Sequence, residues 1–480
     1  MRLALLCDLH LPYHKDAAQY DALRFYLHTL EERKPDALLY VGDITASGDL
    51  SAADIFVAGI HRLGVPAFVI PGNSDLRDAA TAVKMRTYAS PTVNRIGDIT
   101  VFAVNDCDGN VSDETLAALN DASAKDIVML HHPYMSLHEP SRTRFAAWRA
   151  SHPDTVVFYA HLHKSLHSGN DIALQAADPD KAIGECPCMS FYDTQTGALT
   201  KKYYECPVPS DFADHVGFSV FSPLDDLAYA AEKRVKYLEL RPNAAEEDAD
   251  ALDKALANWR SRVMGQLSVH LTDVSYSTEE GFGGGERLQK TVALAVRAGA
   301  SRVTLHVPKM SVGDARTMLD ETAAYAAGFL SALPEDCVVG VENMHMTSRD
   351  RPDDTRRFGY IPSELLAWRE ALERKLSRYV GVNLDIGHAR NNAPYSERYN
   401  LSSWYAEVGA HCVGYHIHQV LKTEEGFENH TPITEYYGKL ISLASFFRGF
   451  SGGQLQKAPL IFEVRGKDAY KISLDLFRKS

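Results

Sequence analysis

The sequence predicts an α/β protein in two parts, each organised around parallel strands, and three observations carry that reading. At 480 residues the chain exceeds one ordinary domain and has room for two. In the first 165 residues, short apolar runs each stop at a polar side chain able to bind metal: LALLC before Asp8, ALLYVG before Asp43, AFVIPG before Asn73, DIVML before His131 and TVVFYA before His161. Beyond residue 210, about eight further apolar runs alternate with amphipathic segments over roughly 260 residues, the signature of a TIM barrel.

Uninterrupted apolar runs read as parallel strands buried on both faces, and the carboxyl ends of such strands converge on one edge of a sheet. Asp8, His10, Asp43, Asn73, His131, His161 and His163 therefore fall where a single pocket can collect them. Two carboxylates, an amide oxygen and four imidazoles, with one carboxylate free to bridge, suit a pair of divalent first-row ions. The β-like pieces CMSFYD and TKKYYEC flank the turn Thr196-Gly197 and are expected to finish this domain's second sheet. Cys206-Pro-Val-Pro-Ser210 and the residues up to His215 read as a linker, which divides the chain into domains 1–209 and 210–480.

In the second domain the expected strands are GFSVF (217–221), VKYLEL (235–240), QLSVHL (266–271), RVTLHV (302–307), VVGVEN (338–343), VGVNLD (380–385), VGYHIH (413–418) and PLIFEV (459–464). Helical patterns such as ERLQKTVALAVRAGA and ARTMLDETAAYAAGFLSAL lie between them. Functional groups of such barrels sit at the carboxyl ends of the strands. Here those ends carry His270, His306, Glu342, Asp385 with His388, His416, His430 and Glu463. Packing gives apolar strands no reason to end this way, and charged groups desolvated at a barrel mouth are costly unless paired or metal-bound.

The totals exclude several classes. Hydrophobic content of 45% with 24% charged residues is that of a globular protein, and no apolar stretch approaches the roughly 20 residues of a membrane span. The start, MRLALLC, runs straight into Asp8 and reads as a strand, not a signal peptide. A balance of 50 basic against 63 acidic residues, net −13, argues against nonspecific binding of long nucleic acid. Seven scattered cysteines fit reduced thiols and a cytoplasmic location; the Cys186-Pro-Cys188 pair with Cys206 matches no zinc spacing. Self-association is left open.

The first half resembles the calcineurin-like metallophosphoesterases through Asp8-Leu-His10, Gly42-Asp43, Gly72-Asn73-Ser74-Asp75, His131-His132-Pro133 and Ala160-His161-Leu162-His163, five blocks in the family's order. The resemblance implies that Asp8, His10, Asp43 and His163 hold one metal while Asp43, Asn73, His131 and His161 hold the other. There is one clear departure: the family usually has His after the motif Asn, and this chain has Ser74. A hydroxyl cannot replace imidazole as a general acid near neutrality. Either His132 or His14 takes the role, or the substrate has a good leaving group, or activity is weak or absent. Ala160 replaces a family Gly and demands a milder backbone conformation.

The second half, from residue 215 to about 470, resembles the xylose-isomerase-like barrels that include endonuclease IV and many sugar isomerases and epimerases. The resemblance rests on Val-His270, Leu-His306-Val-Pro, Val-Glu342-Asn343, Leu-Asp385-Ile-Gly-His388, His416-Ile-His418 and Phe-Glu463-Val-Arg465. It implies one divalent ion on Glu342, Asp385, His416 and Glu463. In the endonuclease branch a multinuclear zinc cluster would add His270, His306, His388 and His430. Two positions depart: Glu428 stands where that branch has Asp two residues before the late His and is expected to ligate with a reach longer by one methylene, and Gln419 replaces an Asp. Gly281–Gly285 reads as a flexible or phosphate-binding loop, Lys309, Arg390 and Arg465 as anion-binding or surface-paired, and Asp353–Arg357 as a solvated charge run.

Together these readings describe a bifunctional enzyme for a small phosphorylated substrate. It would use two divalent ions (Mn, Fe or Zn) in the first domain, with Asn73, Ser74 and His132 as catalytic candidates, and one to three in the barrel, with Glu342, His388 and Glu463. The barrel would act as an isomerase, epimerase or hydrolase. The alternatives are an endonuclease IV-like abasic-site nuclease and a catalytic barrel carrying a non-catalytic metal-binding module.

Overall fold

The computed structural model of the protein describes residues 1–347, 350–424 and 426–478. Two compact units emerge: Met1–Pro207 with Tyr436–Arg448, and Val208–Glu435 with Gly449–Ser480. A single cut at residue 209 misses the segment Tyr436–Arg448, which groups with the first unit; Ala444 there joins the first unit's buried core.

The first unit is a four-layer sandwich. One sheet runs in the order Leu199–Tyr203, Cys188–Asp193, Arg2–Leu6, Ala37–Val41, Ala67–Ile70. The other runs Val93–Ile96, Ile99–Val104, Ile127–Leu130, Val156–Tyr159, Asp171–Ala173, Leu166–Ser168. Strand side chains alternate between faces, so one apolar run serves two cores. Leu3, Leu5, Leu39 and Val41 meet Val101, Met129 and Phe158 between the sheets. Ala4, Leu6, Leu38 and Tyr40 face the helices Ala18–Arg33 and Leu50–Leu63, through Tyr26, Leu30 and Phe56. On the far side Phe102, Val128 and Leu130 pack on Phe145 and Trp148. Each fully buried Leu, Val, Met or Phe side chain among them contributes about 1.5–3 kcal/mol.

The expectation that CMSFYD and TKKYYEC finish the second sheet is corrected. Cys188–Asp193 pairs antiparallel with Arg2–Leu6, setting Arg2 opposite Asp193, and Leu199–Tyr203 adds beyond it. The reason is a fit to both faces: Met189 and Phe191 join the helix-side core and Tyr192 the core between the sheets.

The second unit is a closed eight-stranded parallel barrel: Val216–Val220, Tyr237–Leu240, Gln266–His270, Arg302–His306, Val338–Glu342, Val380–Asp385, Cys412–Ile417 and Leu460–Phe462. Pairing of Val216 with Leu460 closes the ring and leaves no edge strand. Two hairpins decorate it, Ser275–Ser277 with Gly281–Gly283, and Gln419–Thr423 with Gly426–Thr431. The expected linker ends in an anchored turn: Phe212 is buried, with its ring 5.0 Å from Phe477 and 5.6 Å from Phe450.

The charge run at 353–357 also differs from expectation. Arg356 is buried, pairs with both carboxylate oxygens of Glu364 and stacks 4.7 Å from the Tyr395 ring, so its charge is met within the fold; Glu364 in turn also accepts the Gly359 and Tyr360 amides at 2.8 and 3.1 Å. No helix among the described residues is long and apolar enough to cross a membrane.

Candidate metal centres

All seven side chains foreseen in the first unit lie at the carboxyl ends of its strands, and the structure gathers them. Asp43 sits centrally: its Oδ2 lies 3.1 Å from His10 Nε2 and 3.5 Å from His131 Nε2. Ligand atoms of Asp8, His10, Asp43 and His163 fall within 4.8 Å of one another. Asn73 Oδ1 lies 3.0 Å from His131 Nε2 and 2.9 Å from His161 Nδ1, and those two nitrogens are 3.3 Å apart. His131 Nδ1 donates to the Val41 carbonyl (3.2 Å), which leaves Nε2 as a lone pair facing Asn73 and Asp43. Several lone pairs thus converge with too few protons to satisfy them, the condition a cation relieves.

Two motif glycines are dictated by this crowding. A Cβ on Gly42 would lie 2.1 Å from His131 Nδ1, and one on Gly72 would lie 2.2 Å from Asp43 Oδ1. Ala160, by contrast, is absent from the left-handed residues of the chain and packs in the core between the sheets.

The hydroxyl of Ser74 is buried and donates to the Thr45 carbonyl (2.7 Å), while its backbone N–H donates to Asp43 Oδ1 (2.8 Å). Ser74 therefore braces the Asp43 carboxylate and its hydroxyl is turned to the backbone. His14 is half-buried, with Nδ1 accepting the Asp16 amide at 3.3 Å. His132 is better placed: its ring lies 4.6 Å from that of His161, and its Nδ1 donates to the Asp106 carbonyl and carboxylate at 3.0 and 3.1 Å. That leaves its Nε2 unengaged by Asp106.

In the barrel, Glu342 is fully buried among imidazoles. Its Oε1 lies 3.1 Å from His416 Nδ1 and 3.5 Å from His306 Nε2, and its Oε2 lies 3.3 Å from His270 Nε2. Glu463 Oε2 reaches the same His416 Nδ1 at 3.2 Å. Asp385, His388, His418 and His430 form an adjoining buried group with ligand atoms within 4.8 Å. The tautomers fit a cation site. Nδ1 of His270, His388 and His430 donates to the carbonyls of Leu271, Asn343 and Glu463, and Nδ1 of His306 donates to Asp273 Oδ1 at 2.7 Å, so each keeps Nε2 free. His416 is reversed: its Nε2 donates to Glu239 (2.7 Å) and its Nδ1 faces Glu342 and Glu463. Glu342 Oε2 and Glu463 Oε2 accept no hydrogen bond among the described residues, a costly state for buried anions without a cation.

Residues 1–165 match the family model of the calcineurin-like phosphoesterases. The chain is also 26% identical over 148 residues to a probable cyclic nucleotide phosphodiesterase of Synechococcus sp., an alignment covering 28% of this chain. The chain spans 58% of that relative's length. Among solved structures, a D-tagatose 3-epimerase-like protein is 17% identical, covering 55% of this chain and 96% of its own, with a TM-score of 0.38. Endonuclease IV from Thermus thermophilus is 17% identical, covering 55% and 98%, with a TM-score of 0.38. A dimetal phosphatase from Danio rerio is 11% identical, covering 40% and 92%, with a TM-score of 0.31.

Electrostatics in the phosphoesterase domain separate the side chains by role. Burial disfavours charge on Asp43, but His131 and His10 outweigh it and hold the carboxyl well below its ordinary range. Burial pushes Asp8 up to about 6. His161 is pushed down to about 4 by burial, with His131 adding repulsion, and burial with His10 drives His163 well below its ordinary value. In the barrel, burial again opposes ionisation of Glu342 and Glu463, and His416 foremost holds both well below the carboxylate range. Burial disfavours charge on the imidazoles too, but the neighbouring carboxylates outweigh it at His10, raised to about 9, and at His131, His270, His306, His416 and His418, so these carboxylates lie against positive charge that a divalent ion would supply in place of the protons.

Several site residues escaped the sequence reading. Asp106 follows the apolar run VFAVN and ends a strand as Asp8 and Asp43 do, so the same rule would have found it. Asp178 lies 3.3 Å from His10 Nδ1, and Glu239 is a lone acid inside an apolar strand. His418 occupies the group beside Asp385, whereas Glu428 is exposed. The left-handed backbone of His430 (φ 59°) and a register shift between Gln419 and Leu421 break the strand alternation that would have turned Glu428 inward. His345 also lines the barrel cavity, but Arg390 does not.

Proposed function

We propose that the chain is a bifunctional metal-dependent enzyme whose phosphoesterase domain hydrolyses a phosphomonoester or phosphodiester of a small metabolite or nucleotide in the cytoplasm. The observation that carries this is Asp43, a single buried carboxylate oxygen between His10 Nε2 and His131 Nε2 at 3.1 and 3.5 Å. Asp8, His10, Asp43 and His163 would hold one divalent ion and Asp43, Asn73, His131 and His161 the other. When bound, such a pair supplies Lewis acidity toward phosphoryl oxygens and lowers the pKa of a water. Asp43 is kept in register by the Ser74 N–H. His132, with Nδ1 held by Asp106, presents Nε2 to protonate the leaving oxygen, the task Ser74 cannot perform.

In the barrel, Glu342, Asp385, His416 and Glu463 would hold one divalent ion, and His270, His306, His388, His418 and His430 offer ligands for up to two more. Glu342 and Glu463 exchange a proton with a substrate carbon in an isomerase or epimerase, and His388 lines the cavity where that carbon lies. One observation favours a second reading, in which the first domain binds metal without turnover: the Ser74 hydroxyl is tied to Thr45.

The test is phosphate release from a panel of phosphomonoesters and, with a coupled phosphatase, phosphodiesters, comparing wild type with Asp43→Asn. We expect a loss of roughly 10³-fold, the scale of removing one charged transition-state contact. Equal rates would defeat the hydrolase reading and leave the non-catalytic module.

A further inference from the structure

The cavity at the carboxyl ends of the barrel strands has a volume of about 510 Å³, within the range of small-molecule sites, and its lining combines two chemistries. One is the imidazole and carboxylate cluster, represented by His270, His388, His430 and Glu463. The other is basic: Arg241, Arg287, Lys309 and Arg465.

Most of that basic charge has no counter-charge. Lys309 is neutralised by Asp273, at 2.7 Å, and Asp273 also accepts from His306. Arg241 is aimed by neutral partners, its Nε donating to Ser219 Oγ and its Nη2 to the Val464 carbonyl, both at 2.8 Å, so its charge stays uncompensated. The guanidinium groups of Arg287 and Arg465 make no hydrogen bond or ion pair within the described residues. Three uncompensated guanidiniums on one cavity are unexpected in a chain of net charge −13. A multiply charged anion in the cavity would supply the counter-charge they lack. Guanidinium forks match phosphate oxygens in geometry as well as charge. Arg287 also stands in the first turn of the helix Gly285–Arg297, whose start is capped by no side chain, which adds backbone N–H donors beside it.

Resting on the reading of the barrel as a metal-dependent site, we propose that its substrate is a small phosphate monoester whose phosphate is a handle, not the reacting group. Arg241, Arg287 and Arg465 grip the phosphate at the rim. The carbon skeleton extends inward to Glu463 and the imidazoles.

The test uses the full chain in an Asp43→Asn background, which disables the phosphoesterase domain, with D-ribose 5-phosphate and D-ribose as calorimetric probes. The phosphorylated sugar binds at least about tenfold tighter than the free sugar, the scale of one or two charged hydrogen bonds. The double substitution Arg287→Gln/Arg465→Gln abolishes that preference while metal content per chain is unchanged; both side chains are exposed, so folding is spared. Equal binding of the two sugars, no binding of either, or a preference that survives the double substitution overturns the proposal. Failure of the underlying metal reading has a separate signature: Glu342→Gln would then leave metal content unaltered, whatever the arginine variants do.

Discussion

In the first unit five of the seven candidate ligands stand on strained backbone, whereas in the barrel most candidates stand on regular strands. Asp8, His10, Asp43, His161 and His163 all have φ between 47° and 66°. Such left-handed conformations cost non-glycine residues about 1–3 kcal/mol each. They persist because neighbouring backbone fixes them: the amides of Asp8 and Leu9 donate to the carbonyls of Gly42 and Asp43 at 2.9 and 3.0 Å. In the barrel, His270, His306, Glu342 and Asp385 are the last residues of their strands, and among the barrel candidates His430 is the left-handed exception. Alignment there comes from side chains beneath the site. Glu239 holds His416 Nε2 and accepts from Ser268 Oγ and Thr304 Oγ1 at 3.0 and 2.8 Å. One centre is positioned by backbone, the other by a buried polar column.

Three substitutions separate the two modes of support. The largest effect is expected at His132→Asn, which leaves the strained backbone alone but removes the proton donor. Hydrolysis of an alkyl phosphoester falls by roughly 10²-fold or more, and that of a p-nitrophenyl ester, whose leaving group needs no proton, falls far less. Equal losses on both substrates would remove His132 from that role. Next is Glu239→Gln, which keeps the shape of the barrel column but weakens its hold on His416. Barrel metal affinity, read by competition with a chelator, drops about 10–100-fold, and phosphoester hydrolysis is unaffected. Unchanged affinity would mean that the strands alone position the ligands. The smallest effect is at Ser74→Ala, which removes the bond to the Thr45 carbonyl and keeps the backbone brace on Asp43. Stability to chemical denaturation falls by about 1 kcal/mol and turnover does not change. A large loss of turnover would show that the hydroxyl acts on substrate.

This division also explains what could be read from the sequence. Strand-end positions are spelled locally, as an apolar run followed by a polar side chain, and the placement of Asp8, Asp43, Asn73, His131 and His161 was legible for that reason. The eight barrel strands were legible from their period, each within two residues of its observed bounds. Supports that act across the fold leave a weaker trace. Glu239 touches His416 over 177 positions of sequence, and Gln19 donates to Asp178 over 159. Glu428 misled because spacing from His430 says nothing about a left-handed residue that reorients the strand. Arg356 misled because a run of charges hides one member whose partner, Glu364, lies in the next helix.

If each unit gathers a divalent-cation centre of its own, metal content per chain reports both. Full-length protein would be loaded with Mn, Fe or Zn, desalted and analysed by mass spectrometry, as wild type, Asp43→Asn and Glu342→Gln. Tightly held metal is expected in wild type, with a partial loss in each variant and a near-complete loss when the two substitutions are combined. Wild type that retains no metal, or a combined variant that retains all of it, would contradict the two-centre reading.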